Sequence, residues 1–153
     1  MNIIFLDVDG VLNSIKALKK AVLKNKRPYS GYDYPFDDKC LKNLKSLVDK
    51  TDSYIVITST WRYDELGKKI LLDKLREYNL DMRVIGYTKR LNKTRGEEIR
   101  AYLEELGGKV NYIIIDDDYD FDGFEECLIQ TDYETGLTKE DVFVGIKKLV
   151  KKK

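Results

Sequence analysis

Two carboxylates spaced two apart, Asp7 and Asp9, follow the apolar run Ile3-Ile4-Phe5-Leu6 and precede Gly10-Val11-Leu12-Asn13. Carboxylates that close repel one another unless a cation or a shared proton intervenes. A hard cation held by oxygens, Mg²⁺ foremost, meets that need most simply. The run before Asp7 is apolar throughout and too brief for a helix, which predicts a strand buried on both faces, and Gly10 marks where the backbone turns away. Open α/β sheets bind ligands in the crevice beyond the carboxyl ends of their strands, so acidic residues there are placed for chemistry rather than packing.

The remaining elements must bring partners to that crevice. Tyr54–Thr58 reads as a second buried strand, Arg83–Gly86 as a short third, Val110–Ile115 as a fourth running into Asp116-Asp117-Asp118, and Cys127–Gln130 as a fifth. Helical spacing connects Cys40, Leu41, Leu44, Leu47 and Val48 behind a cap at Asp37 or Asp38, and Leu66, Ile70, Leu71, Leu75 and Tyr78 in a helix starting near Asp64. Thr94 and Glu97 fit a capping box for a helix carrying Ile99, Tyr102, Leu103 and Leu106, stopped by Gly107-Gly108. Thr138 with Asp141 caps a last helix with Val142, Ile146, Leu149 and Val150. This alternation predicts an α/β fold, a doubly wound, Rossmann-like parallel sheet of about five strands with helices on both faces.

Composition removes several chemistries. The chain has no histidine, which excludes Ser-His-Asp and Cys-His catalysis and the common zinc sites, leaving acid–base work to carboxylates, lysine or tyrosine. A net charge of +1 argues against a generally basic nucleic-acid coat while permitting a local patch. Cys40 and Cys127 lack Cys-x-x-Cys spacing and read as free, buried thiols in a reducing compartment. With no leader-like start and no apolar run of membrane-spanning length, the expectation is a soluble, cytoplasmic protein. At 153 residues the chain is expected to form one domain, 1–153, with no room for a separate folded cap.

Residues 14–36 are the least regular part. Lys16, Lys19, Lys20, Lys24, Lys26 and Arg27 occur before Pro28 without an acidic residue, and Tyr29, Tyr32, Tyr34 and Phe36 follow. Leu18, Ala21 and Val22 would face the core if a short helix forms. Basic residues beside aromatics suit a nucleic-acid backbone and its bases; a solvated helix face with a packed aromatic loop explains the same pattern. The segment is expected to be a basic/aromatic flap or minimal cap insertion.

Asp7-Val8-Asp9-Gly10-Val11 resembles the first signature of the haloacid dehalogenase (HAD) superfamily of phosphotransferases, and three further signatures follow in order. Thr58, with Ser59 next in line, matches the hydroxyl residue ending the second strand; capping of the following turn is the structural explanation of the same hydroxyls. Arg95, with Lys93 as the alternative, matches the basic residue before the fourth strand, at a helix amino terminus that itself attracts anions. Asp116 and Asp117 match the acidic pair. The wording Asp-Val-Asp-Gly-Val-Leu-Asn, Thr-Ser-Thr-Trp-Arg, Arg-Gly-Glu-Glu-Ile and Ile-Asp-Asp-Asp, with Gln130-Thr131-Asp132 and Gly136-Leu137-Thr138 later, is also similar to the small HAD domains associated with RNA-repair proteins.

The resemblance implies a strand order 5-4-1-2-3 and a phosphatase that works through an aspartyl-phosphate. It assigns Asp7 as nucleophile and Asp9 as general acid and base. Mg²⁺ would be held by Asp7, the backbone carbonyl of Asp9 and an acid from Asp116 or Asp117. Thr58, Ser59 and Arg95 would hold the phosphoryl oxygens. Members without full caps leave their site open to large substrates, which favours a nucleotide or a polynucleotide end, RNA or DNA, with a 3′-phosphate preferred. Lys19, Lys20, Lys24, Arg27 and Arg62 are then the candidate substrate contacts. A small-metabolite phosphatase or phosphomutase, a receiver-like signalling module, and a catalytically silent binding domain are the alternatives.

Overall fold

The computed structural model describes residues 1–150. Five strands form one parallel sheet: β1 (Asn2–Leu6), β2 (Ser53–Ile57), β3 (Val84–Tyr87), β4 (Asn111–Asp116) and β5 (Leu128–Gln130), in the order β3-β2-β1-β4-β5. This is the expected 5-4-1-2-3 order read from the other edge. Helices α1 (Ile15–Asn25), α2 (Asp38–Thr51), α3 (Glu65–Arg76), α4 (Arg95–Leu106) and α5 (Lys139–Val150) complete the alternation. No helix among the described residues is long and apolar enough to cross a membrane.

Successive strand side chains point to opposite faces, which splits the core into two layers. Ile4, Leu6, Ile55, Ile57, Ile113 and Ile115 pack against α2, α3 and α5, with Leu44, Leu71 and Leu149 among the fully buried partners. Ile3, Phe5, Val56 and Ile114 pack against Ile99 of α4. The sequence pattern underestimates this second layer. Phe121 and Phe124, set among Asp120, Asp122, Glu125 and Glu126, are 2% and 4% exposed and fill the gap beside α4 that its one fully buried apolar residue, Ile99, leaves.

Caps set the helix limits. Asp37 accepts from the Lys39 amide to start α2, and the Thr94–Glu97 capping box is present in full at the start of α4. The expected α3 stripe holds at Leu71 and Leu75, with Ile70 and Tyr78 half-buried against the core, and departs at its first residue. Gly67, Leu71 and Leu75 face inward, and Leu66 is exposed. The cause is the close approach at Gly67, where a Cβ would stand 2.4 Å from the Trp61 carbonyl oxygen. Val150 likewise points outward beside buried Leu149, and Cys127 is only half-buried, whereas Cys40 is buried. Both thiols are free.

Residues 14–36 follow the reading of a solvated helix face with a packed aromatic loop, without the core contacts considered for Leu18, Ala21 and Val22. Helix α1 forms, capped by Ser14, yet none of its residues is buried: Leu18 and Ala21 are only half-buried, and Val22 and Leu23 are exposed. The core contacts come from the loop after it, where Tyr32 and Phe36 pack against Trp61 with ring centroids 4.9 and 5.4 Å away.

Candidate active site

Sheet register assembles the site. Leu6 of β1 pairs with Ile57 of β2 on one side and Ile115 of β4 on the other, so Asp7, Thr58 and Asp116 emerge abreast at the carboxyl edge. The ladder carries on past the strands: Asp7 N–H donates to the Ile115 carbonyl at 3.0 Å and Thr58 N–H to the Leu6 carbonyl at 2.9 Å. Asp7, Asp116 and Asp117 each offer a carboxylate oxygen within 4.8 Å of the others. Burial, then the charge of Asp116, pushes the Asp7 carboxyl up to about 8, against the pull of Arg95. The same two causes lift Asp117 to about 6. Three crowded carboxylates with raised pKa values are a donor set for a hard divalent cation, which would restore their ionised forms.

Arg95 enters from the first turn of α4. Its Nη1 lies 2.6 Å from Asp116 Oδ2 and 3.3 Å from Asp7 Oδ1. Burial opposes its charge, but Asp7 and Asp116 outweigh burial and raise its pKa further. Asp116 is spent further by accepting from the Asp118 amide at 3.0 Å. Lys93, the alternative basic residue, is exposed and lines the same cleft of about 440 Å³.

Asp9 is separate from the three-carboxylate cluster in its surroundings. Its carboxylate is exposed and held by Asn13 Nδ2 at 2.8 Å and by the Trp61 indole N–H at 3.3 Å. Gly10 makes the turn possible: its φ is +78°, and a Cβ there would come within 2.4 Å of Asp117 Oδ2. Asn13 Oδ1 accepts from the Gly10 amide at 2.9 Å, and Thr131 Oγ1 donates to the Gly10 carbonyl at 2.8 Å. Asn13, Trp61 and Thr131 were not singled out as site residues in the sequence. Asn13 sits inside the first signature itself, whereas Thr131 lies far along the chain, in the stretch Gln130-Thr131-Asp132 that resembles the RNA-repair HAD domains without indicating its contact with Gly10.

The hydroxyls divide. Ser59 caps the short helical turn Thr60–Tyr63, accepting from the Trp61 amide at 3.2 Å. Thr58 Oγ1 is the one buried side-chain polar atom among the described residues with no hydrogen-bond partner. A buried orphan hydroxyl is costly and asks for a ligand.

The basic candidates also divide. Arg62 cannot serve as a surface contact for substrate. Its side chain is 3% exposed, it pairs with Glu98 at 3.0 Å, and it donates to the carbonyls of Thr58, Ser59 and Thr88. An arginine is buried only when its donors are matched, and here the strand end supplies the acceptors. Glu98 in turn accepts from the Leu91 amide at 2.7 Å. Arg27 is exposed and pairs with Asp33 at 2.6 Å. Lys19, Lys20 and Lys24 lie exposed on α1, and none lines the cleft.

A second recess, of about 570 Å³, adjoins the first and shares Asp9, Thr60 and Asp117 with it. Among its walls are Tyr32, Tyr34, Trp61 and Tyr133.

Comparison with known proteins adds one match. No curated protein and no solved structure matches the chain significantly. A family model described as the HAD domain in Swiss Army Knife RNA repair proteins matches residues 3–142, a span that contains Asp7, Thr58, Arg95 and Asp116. With the parallel order β3-β2-β1-β4-β5 and these four residues at its carboxyl edge, the chain belongs to the HAD domain family of Swiss Army Knife RNA repair proteins.

Proposed function

We propose that the protein is a Mg²⁺-dependent phosphoric monoester hydrolase acting on a nucleotide or a polynucleotide terminal phosphate, with a 3′-phosphate favoured. The observation that carries the chemistry is the orphan Thr58 hydroxyl, one strand over from Asp7. A hydroxyl donor beside Asp7 would serve an oxygen of a phosphoryl group bound there. The nucleic-acid side of the reading is supported by the family's association with RNA repair.

Asp7, Asp116 and Asp117 would hold Mg²⁺, with the Asp9 carbonyl as a further oxygen. The ion would neutralise phosphate charge so that an anionic nucleophile can approach. An Asp7 oxygen then attacks phosphorus as the bond to the leaving oxygen breaks, and Asp9 gives that oxygen its proton, yielding the free alcohol. Asp9 next takes a proton from water, whose oxygen attacks the aspartyl-phosphate, releasing inorganic phosphate and restoring Asp7. Thr58 and Arg95 donate to the phosphoryl oxygens throughout.

A silent phosphate-binding domain is the competing reading, and it draws on Arg95, which already bridges Asp7 and Asp116 as an internal cation. Hydrolysis of p-nitrophenyl phosphate with and without Mg²⁺ separates the two. The expected result is metal-dependent turnover that Asp7→Asn abolishes. A folded protein that binds Mg²⁺ and phosphate but turns over neither this substrate nor 3′- or 5′-phosphorylated oligonucleotides would establish the silent domain.

A further inference from the structure

The two recesses differ in lining. The first holds the carboxylates together with Arg62, Lys93 and Arg95; the second has no lysine or arginine in its wall. Asp9 belongs to both. A general acid must lie within hydrogen-bond reach of the departing oxygen, which sets the body of the leaving group beside Asp9, where the second recess opens. A wall without cations gives no hold on a second phosphate and suits a neutral group.

The aromatic residues there are not equivalent. Trp61 is 3% exposed, capped by the Tyr32 and Phe36 rings, and its indole N–H is engaged with Asp9. Tyr32 donates its phenol to Asp64 at 2.6 Å. Both are thereby fixed as wall. Tyr34 is half-buried and Tyr133 is 58% exposed, so their rings retain surface for a planar ligand. They arrive from different parts of the chain and line the same recess. Ile15 N–H donates to the Tyr133 carbonyl at 3.0 Å, locking the turn after β5 to the start of α1, and Tyr34 N–H donates to the Gly31 carbonyl at 3.1 Å.

We propose that this recess seats the nucleoside next to the scissile phosphate, with the rings of Tyr34 and Tyr133 as its base-stacking surfaces. The assignment rests on the phosphatase reading above and adds a site to it. Stacking on an aromatic side chain tolerates any base, so the recess selects a nucleoside over a sugar or polyol without reading sequence. Its volume of about 570 Å³ lies within the range of small-molecule sites.

The test compares a nucleoside 3′-monophosphate with glycerol 2-phosphate, which has no ring, using wild type, Tyr34→Ala, Tyr133→Ala and the double variant. The expected result is that the double variant raises KM for the nucleotide about 10-fold or more while glycerol 2-phosphate turnover changes less than about 2-fold. Tyr34→Phe should behave as wild type, since the ring and not the phenol is used. Equal losses on both substrates, or no loss on the nucleotide, would overturn the proposal. Calorimetric titration of Asp7→Asn with the same nucleotide, in the Tyr34 and Tyr133 backgrounds, keeps the two readings apart. If no variant turns over either substrate, the phosphatase reading fails. The nucleoside site then stands if the tyrosine variants weaken binding, and falls if they leave it unchanged or if the nucleotide does not bind.

Discussion

Arg62 and Arg95 line one cleft and both pair with buried carboxylates, yet they are opposite kinds of residue. Arg62 meets a single carboxylate, Glu98, and three backbone carbonyls, so its charge is matched one to one and four of its five N–H groups are engaged. Arg95 is one cation facing three carboxylates, Asp7, Asp116 and Asp117, and its side chain is 28% exposed. The matched arginine holds the strand end in place. The outnumbered one leaves a net negative charge, which the proposed Mg²⁺ would offset.

The strongest way to break this contrast is Arg62→Ala, which strands Glu98 and the strand-end carbonyls. Loss of one partner of a buried pair should lower unfolding free energy by about 3–5 kcal/mol, read by urea denaturation, and activity should fall only because the fold does. Arg95→Ala should do the reverse. With Mg²⁺ present to offset the three carboxylates, kcat is expected to drop about 10²–10³-fold, while stability falls less than in Arg62→Ala by the same denaturation. Equal stability losses for the two variants would erase the distinction.

A smaller effect should appear in pH. Folded Asp7 holds its proton up to about 8 against an ordinary 3.8, and Asp117 is raised in the same direction. The fold therefore binds protons that the unfolded chain has released, and metal-free stability should fall as pH rises through that interval. Melting in EDTA at about pH 5 and about pH 8 should show this decline, and saturating Mg²⁺, which binds the ionised form, should oppose it most at the higher pH. The smallest effect belongs to the fully solvated cations. Lys19, Lys20 and Lys24 to Ala should change stability by less than about 0.5 kcal/mol, and should lessen the salt dependence of oligonucleotide binding only if the lysines contact its backbone.

Much of this architecture was legible in the chain. Strand limits followed from short β-rich apolar runs, and helix starts from capping pairs such as Thr94 with Glu97, because both signals are local. Register then placed Asp7, Thr58 and Asp116 together without needing further detail. The failures share one cause, dependence on a distant partner. Nothing near Arg62 announces Glu98, and nothing near Asp9 announces the Trp61 indole. Acidic neighbours hide the burial of Phe121 and Phe124, and in α1 the apolar positions exist without an opposing surface to bury them.

The loop bearing Asp9 is clasped from far along the chain. Leu137 N–H donates to the Val11 carbonyl at 2.9 Å, Thr131 to the Gly10 carbonyl, and a Cβ at Gly136 would strike the Val11 carbonyl oxygen at 2.9 Å. The central strand β1 likewise pairs with β4 as well as with β2. During synthesis, therefore, the Asp9 loop must wait for a residue 121 positions further along the chain before its shape is complete. A chain stalled or cut before Thr131 would carry every carboxylate of the cluster and still lack the clasp that shapes the Asp9 loop. The Asp9 loop is thus left unfinished, by topology alone, in any chain that stops short of its clasp.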